Sequence, residues 1–333
     1  MDSVHISLWI ITILLIITML AVDFVGHVRT PHAPSIKEAA VWSAIYIGIA
    51  VAFGAIIWGF YGHQMGAEFF AGYLTEKSLS LDNLFVFILI MNSFRVPRED
   101  QQKVLLFGII VALILRTVFI LLGAAVVERY SWVFFIFGAF LIWTAIKQAL
   151  PGQEEEEYHE SKLIVRLRRV LPLTDSYVGD RVFVKQSGRR MVTPMLIVMI
   201  AIGSADLLFA VDSIPAIFGL TQDAYLVFAA NAFSLLGLRQ LFFLVDGLLE
   251  RLVYLNYGLA VILGFIGVKL ILHALHVNEL PFINGGEPLH AVPNINIATS
   301  MAVIVGTLAI TTIASLAKDK RDRLAAADPH ESA

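Results

Sequence analysis

Glu76 and Asp82 in the stretch EKSLSLDNLF, and Asp206 and Asp212 in ADLLFAVDSIP, are acids set among residues that are mostly apolar. An ionised side chain at the centre of a bilayer-spanning helix costs roughly 2.5–3.5 kcal/mol on insertion scales, so four such groups must be paired, protonated or bound to a cation. Asn83 and Ser213 adjoin two of them, and Asn231 offers one more oxygen from a later apolar run. Carboxylates, an amide and hydroxyls, in a chain without cysteine, form a hard-oxygen donor set. That set suits Mn²⁺, Mg²⁺ or Ca²⁺ better than Zn²⁺ or Cu⁺. Lys77, Arg116 and Arg239 lie in apolar runs as well. They open a second reading, in which the acids and bases are internal ion pairs that only hold helices together. The cation-pathway reading is preferred because intramembrane acids more often mark a pathway than a staple. In it Glu76, Asp82, Asp206 and Asp212 ligate, Arg116 and Arg239 orient or compete for the carboxylates when the ion leaves, and Lys77 is an internal replacement cation.

Helix geometry constrains how these groups meet. Six residues turn a helix by about 240°, so Glu76 and Asp82 do not share a face. Ser80 and Asn83 fall on the Glu76 side, and Ser78 on the Asp82 side. Pro215 cannot donate a backbone hydrogen bond and predicts a local break that frees the Val211 carbonyl. His273 and His276 are read as solvated residues near a helix end, and Asp23 and His27 as interfacial. Asp246 is read as an entry residue or simply exposed. Glycines in the second and eighth spans predict close helix packing.

The elements that carry these residues are membrane spans. The 333 residues are 58% hydrophobic and 15% charged, which predicts an all-α, polytopic membrane protein. Nine runs are long enough to cross a bilayer: about 5–26, 40–61, 66–92, 103–127, 131–149, 193–218, 223–247, 252–275 and 296–317. The first run lacks basic residues before it and a clean small-residue cleavage site after it, so it is read as a retained span. Basic residues alternate between loops: Arg29 and Lys37, then Arg95, Arg98 and Lys103, then the Arg166–Arg190 region, Arg251, and KDKRDR at Lys318–Arg323. This predicts an N-terminus outside and a C-terminus in the cytoplasm. The 151–190 segment, with Glu154–Glu157 at its start, is read as a solvated cytoplasmic connector. Without cysteine there are neither disulfides nor thiolate metal sites. A net charge of −3 gives no reason to expect a nucleic-acid partner, and no phosphate loop or nucleophile elbow suggests an enzyme.

The chain also repeats itself. Glu76-x5-Asp82-Asn83 corresponds to Asp206-x5-Asp212-Ser213, Leu115-Arg116-x-x-Phe119 to Leu238-Arg239-x-x-Phe242, Glu128-Arg129 to Glu250-Arg251, and Lys147 to Lys269. The order divides the chain into residues 1–65 with two spans, a first repeat at 66–150, a charged loop at 151–192, a second repeat at 193–276, and 277–333 with an outer loop, the last span and a tail. The repeats begin an odd number of crossings apart and so have inverted topology, an arrangement that places transporter sites near the midplane.

EKSLSLDNLFVF (Glu76–Phe87), ADLLFAVDSIPAIFG (Ala205–Gly219) and NAFSLLGLRQLFF (Asn231–Phe243) closely resemble the TerC family, named for tellurium resistance and including Alx-type proteins. The resemblance covers about Gly59 to Ala317. It implies a multi-pass protein of the inner membrane that exports Mn²⁺ from the cytoplasm, with no tightly bound cofactor and with protons as a candidate coupling ion. The family's acidic motif positions fall on Glu76, Asp82, Asp206 and Asp212, with Asn83 and Ser213 adjoining. The competing expectation is a non-transporting scaffold for envelope stress or membrane-protein assembly.

Overall fold

The computed structural model describes residues 6–28, 34–150, 164–167, 171–174, 176–186, 189–245, 252–289 and 291–327. Arg29, Glu154–Glu157, Arg168, Arg169, Asp246 and Arg251 lie outside them. The described residues form α1 (Ile6–Asp23), continued by a π-helical turn at Phe24–Val28, then α2 (Ile36–Tyr61), α3 (His63–Ser93), α4 (Arg98–Arg129) and α5 (Val133–Ala149). A short antiparallel hairpin follows, β1 (Phe183–Gln186) and β2 (Arg189–Val192). Then come α6 (Pro194–Phe218), α7 (Ala224–Leu236), α8 (Leu238–Val245), α9 (Leu255–His276) and α10 (Ile297–Ala327). Among the described residues, seven stretches are long and apolar enough to cross a membrane, with α7 and α8 counted together. Of the remaining two rods, α5 is shorter at 17 residues, and α3 carries Glu68, Glu76, Lys77 and Asp82.

Local sequence explains the ends of these helices. Ser35 caps α2 by accepting from the Glu38 amide at 3.2 Å, and Asp223 caps α7 by accepting from the amides of Tyr225 and Leu226. Both satisfy donors that a helix start leaves unpaired. At the end of α3 the Val96 amide returns to the Met91 carbonyl and the Arg95 amide to that of Asn92. This is a Schellman closure with Arg95 at φ 51°, where glycine is the usual occupant. The apolar faces that do not pack inward, such as Ile10, Ile11, Leu14 and Ile17 of α1 and Ile310 and Ile313 of α10, are exposed. A bilayer would cover them.

Contacts between helix ends show that successive rods run in opposite directions. At one end the Thr221 hydroxyl donates to Glu68, and the Ser131 hydroxyl to Glu279. At the other, the Tyr177 hydroxyl donates to the Phe94 carbonyl, and Arg239 meets Asp23. The described part of the 151–190 segment is therefore more than a solvated connector. Its hairpin region closes on α3 and α4 through Tyr177 and through Lys103, whose ammonium donates to both the backbone carbonyl and the carboxylate of Asp180 at 2.7 Å.

The break expected in span six is absent. Pro215 lies inside a continuous α6, close enough to its end that one missing hydrogen bond does not interrupt the rod. Span seven is divided instead, at Gly237, between α7 and α8.

The core is organised by three helix pairs: α3 against α7, α4 against α6, and α5 against α9. Exchanging α3, α4 and α5 for α6, α7–α8 and α9 turns the first pair into the second and returns the third to itself. Glycines mark the crossings. A Cβ on Gly108 would lie 2.7 Å from Ile202, and one on Gly72 would lie 3.1 Å from Ala230. A Cβ on Gly138 would meet the Gly267 carbonyl at 2.8 Å, and one on Gly267 would meet the Gly138 carbonyl at 2.9 Å.

Candidate ion-binding site

Arg116 of α4 is fully buried and organises the centre of the bundle. Its Nε and Nη2 donate to the two carboxylate oxygens of Asp206 at 2.9 and 3.0 Å. Its Nη1 donates to Glu76 and to the Ser213 hydroxyl, the latter at 3.2 Å. One guanidinium thus joins α3, α4 and α6. The fork geometry of arginine suits such bidentate pairing, which a lysine could not reproduce. Glu76 and Asp206 are 0% and 1% exposed, so water does not share their charge.

The other expected ligands are distributed unevenly around this cluster. Ser213 belongs to it through Arg116. Asp212, half-buried beside Ser213 on α6, is within electrostatic reach of both Glu76 and Arg116. Asn83 is buried on α3. Asn231 is buried on α7, and its side-chain nitrogen makes no hydrogen bond within the protein. The second carboxylate oxygen of Glu76 and the hydroxyls of Thr75, Ser80 and Ser234 are likewise buried without a partner. Such orphans normally find a partner or a water, and these lie on α3 and α7, two helices packed against each other. Asp82 faces elsewhere, as the 240° turn requires, and accepts from Gln148 of α5 at 3.3 Å. Among the described residues no three His, Asp or Glu side chains stand close enough to hold a metal ion together. The centre has the donor chemistry of a hard-cation site, with part of its carboxylate capacity taken by arginine.

The remaining bases are engaged differently. Lys77 donates from Nζ to the Ser234 carbonyl at 3.1 Å, one residue along α3 from Glu76. Arg239 is far from a central role here: it donates to Asp23 at 2.7 Å and to Gln102 at 2.5 Å. Asp23 also accepts from Gln240 at 3.0 Å and is hydrogen-bonded by the Tyr46 hydroxyl. It is 1% exposed, so it is buried within the bundle at the end of α1. Asp23, Tyr46, Gln102 and Gln148 were missed as functional candidates. Asp23 satisfied the criterion applied to the other acids, since it lies inside the first apolar run, but its nearness to the end of that run suggested solvent. His273 has side-chain partners of its own. It hydrogen-bonds Gln222 at 2.6 Å and sits edge-on to Phe134.

The nine helical rods among the described residues expose apolar faces and sequester charges between helices, which defines a polytopic integral membrane protein. The chain belongs to the TerC family of integral membrane proteins, whose family model matches residues 61–323. An uncharacterized membrane protein of Mycobacterium tuberculosis H37Rv is 54% identical over 313 residues, covering 92% of this chain and 78% of that one. A Myxococcus xanthus membrane protein is 38% identical over 322 residues, covering 97% and 96%. The Alx protein of Escherichia coli K12, provisionally named a membrane-bound redox modulator, is 37% identical over 304 residues, covering 89% of each chain. No solved structure matches.

Proposed function

We propose that this chain is a secondary transporter of the cytoplasmic membrane that exports Mn²⁺ by alternating access, without enzymatic activity and without a resident cofactor. The observation that carries the reading is the excess of buried acid at the junction of the two repeats. Glu76 and Asp206 are ion-paired to Arg116, Asp212 stands within electrostatic reach of it, Lys77 follows Glu76 in α3, and one Glu76 oxygen has no hydrogen bond within the protein. A hard divalent cation with oxygen ligands fits that imbalance. Asp82, Asn83, Ser213 and Asn231 supply the other oxygens as the helices shift, and Arg116 returns to the carboxylates when the ion departs. Protons exchanged for the metal would serve the same purpose.

The packing supports an inverted repeat. The offset of 130 relating Glu76 to Asp206, and of 123 relating Arg116 to Arg239, carry the Gly108–Ile202 contact onto residues 231 and 72. The observed contact pairs Gly72 with Ala230, one residue away. In the third helices the reciprocal Gly138–Gly267 crossing favours an offset of 129, and not the 122 that matches Lys147 with Lys269. Basic residues collect at the end of the bundle that carries Lys103 and the hairpin. We assign that end to the cytoplasm, with the N-terminus outside.

A second reading is favoured by Arg116 itself, whose three nitrogens all donate within the cluster: the acids are a structural staple in a non-transporting scaffold. Cells lacking the chain separate the two. The transport reading expects them to accumulate manganese, with Asp212→Ala and Asp82→Ala failing to restore export. Full restoration by both variants would favour the scaffold.

A further inference from the structure

We propose that Arg239 is a switching residue that holds Asp23 in the conformation described here and crosses to Glu76 when the bundle reorients. The inference rests on the transport reading for its purpose, but its geometry stands apart from the cargo. Arg239 is the repeat counterpart of Arg116, and Glu76 that of Asp206. Carrying the Arg116–Asp206 ion pair through the exchange of repeats therefore yields an Arg239–Glu76 pair. That pair is absent, because Arg239 is engaged with Asp23 and Gln102. Inverted repeats produce two access states by exchanging the conformations of their halves, so a contact made by one half alone is a candidate for the other state.

The unpaired atoms match this exchange. Arg116 uses its Nε on Asp206. The corresponding atoms of the second pair are the Nε of Arg239 and a Glu76 carboxylate oxygen. Both Arg239 Nε and Glu76 Oε2 are buried without a hydrogen-bond partner. Each would gain one from the other.

The path is short. α3 and α7 run in parallel, with Gly72 beside Ala230 and Lys77 reaching Ser234. This register sets Arg239 level with about Leu81, some five residues or roughly 7.5 Å along the axis from Glu76. An arginine that reverses its direction along the helix covers such a distance. The interruption at Gly237, two residues before Arg239, divides α7 from α8 and supplies a hinge. Asp23 completes the device from α1. Steadied by Tyr46 and Gln240, it competes with the central acids for one arginine and so sets the balance between the two states.

The cysteine-free chain permits a direct test. A single Ser43→Cys probe is placed on α2, on the buried side of that helix between Ala39 and Tyr46. Maleimide labelling in membrane vesicles, melting temperature in detergent and Mn²⁺ uptake are then measured for three chains carrying the probe: otherwise unchanged, Asp23→Asn, and the exchange Asp23→Arg/Arg239→Asp. Loss of the latch in Asp23→Asn should raise labelling several-fold. The charge exchange should recover the melting temperature and low labelling, because the pair with position 23 is rebuilt. It should still lose at least tenfold in uptake, because position 239 now repels Glu76. Uptake near that of the unchanged protein in the exchanged chain would overturn the switch and leave a plain structural bridge, as would labelling unmoved by Asp23→Asn. If the unchanged protein moves no Mn²⁺, the transport reading fails and labelling alone decides the switch. If the exchanged chain does not fold, the Asp23→Asn labelling decides it.

Discussion

Arg116 holds two acids at once, and the energetic consequence is asymmetric. Replacing a whole buried ion cluster with apolar residues is often tolerated, whereas removing one partner leaves a charge stranded in a low dielectric. Arg116→Gln should therefore destabilise the protein by about 3–5 kcal/mol, read as a lower melting temperature in detergent. Adding Glu76→Gln and Asp206→Asn should recover much of the loss. An Arg116→Gln protein melting like wild type would mean that the carboxylates are not charged against it. At this scale the sequence picked out residues that the fold brings together. Glu76, Asp206, Arg116 and Ser213 meet as intramembrane charge and hydroxyl groups must. It did not reveal which base serves which acid. Arg116 and Arg239 occupy equivalent positions in matching motifs, and only the third dimension separates a central clamp from a bond to Asp23.

Helix pairs carry the next set of consequences. Gly138 and Gly267 bring α5 and α9 close enough that each glycine's missing side chain is filled by the other helix. Gly138→Val should destabilise by about 1–3 kcal/mol through overpacking. Gly48 of α2, with open space at its Cβ position, should accept alanine and gain up to about 1 kcal/mol from helix propensity. Thermal unfolding of both variants checks the contrast. The hairpin region depends on Lys103, whose ammonium holds the Asp180 carboxyl below its ordinary value. A depressed acid stabilises the docked form above its unfolded pKa, about 3.9, and loses that contribution as pH falls through the lower folded value. Both side chains are partly exposed, 29% and 39%, so the effect is modest. Trypsin should cut the 171–193 region faster in Asp180→Asn than in wild type at neutral pH. Equal rates would show that the contact does not restrain it. Periodicity and apolar length identified the rods, but not the fate of Pro215 or the break at Gly237. Proline removes one hydrogen bond and can be absorbed near a helix end, whereas a glycine break depends on neighbouring helices.

At the scale of the whole molecule, buried acids of α3 and α6 meet around Arg116, and we propose that this junction is where a cation crosses. The ordered match of polar residues within an apolar background is legible in the sequence and supports the proposed repeat. The contacts of α1 and α2 were not legible, since Asp23 and Tyr46, which meet there, carry no motif. The most direct test is Mn²⁺ uptake into inside-out membrane vesicles containing wild type or Asp212→Ala, with and without a pH gradient. Wild-type vesicles should accumulate Mn²⁺, faster with the vesicle interior acidic if protons are exchanged, and Asp212→Ala should lose at least tenfold in initial rate. Equal uptake by wild type, Asp212→Ala and vesicles lacking the protein would show that the protein does not export Mn²⁺.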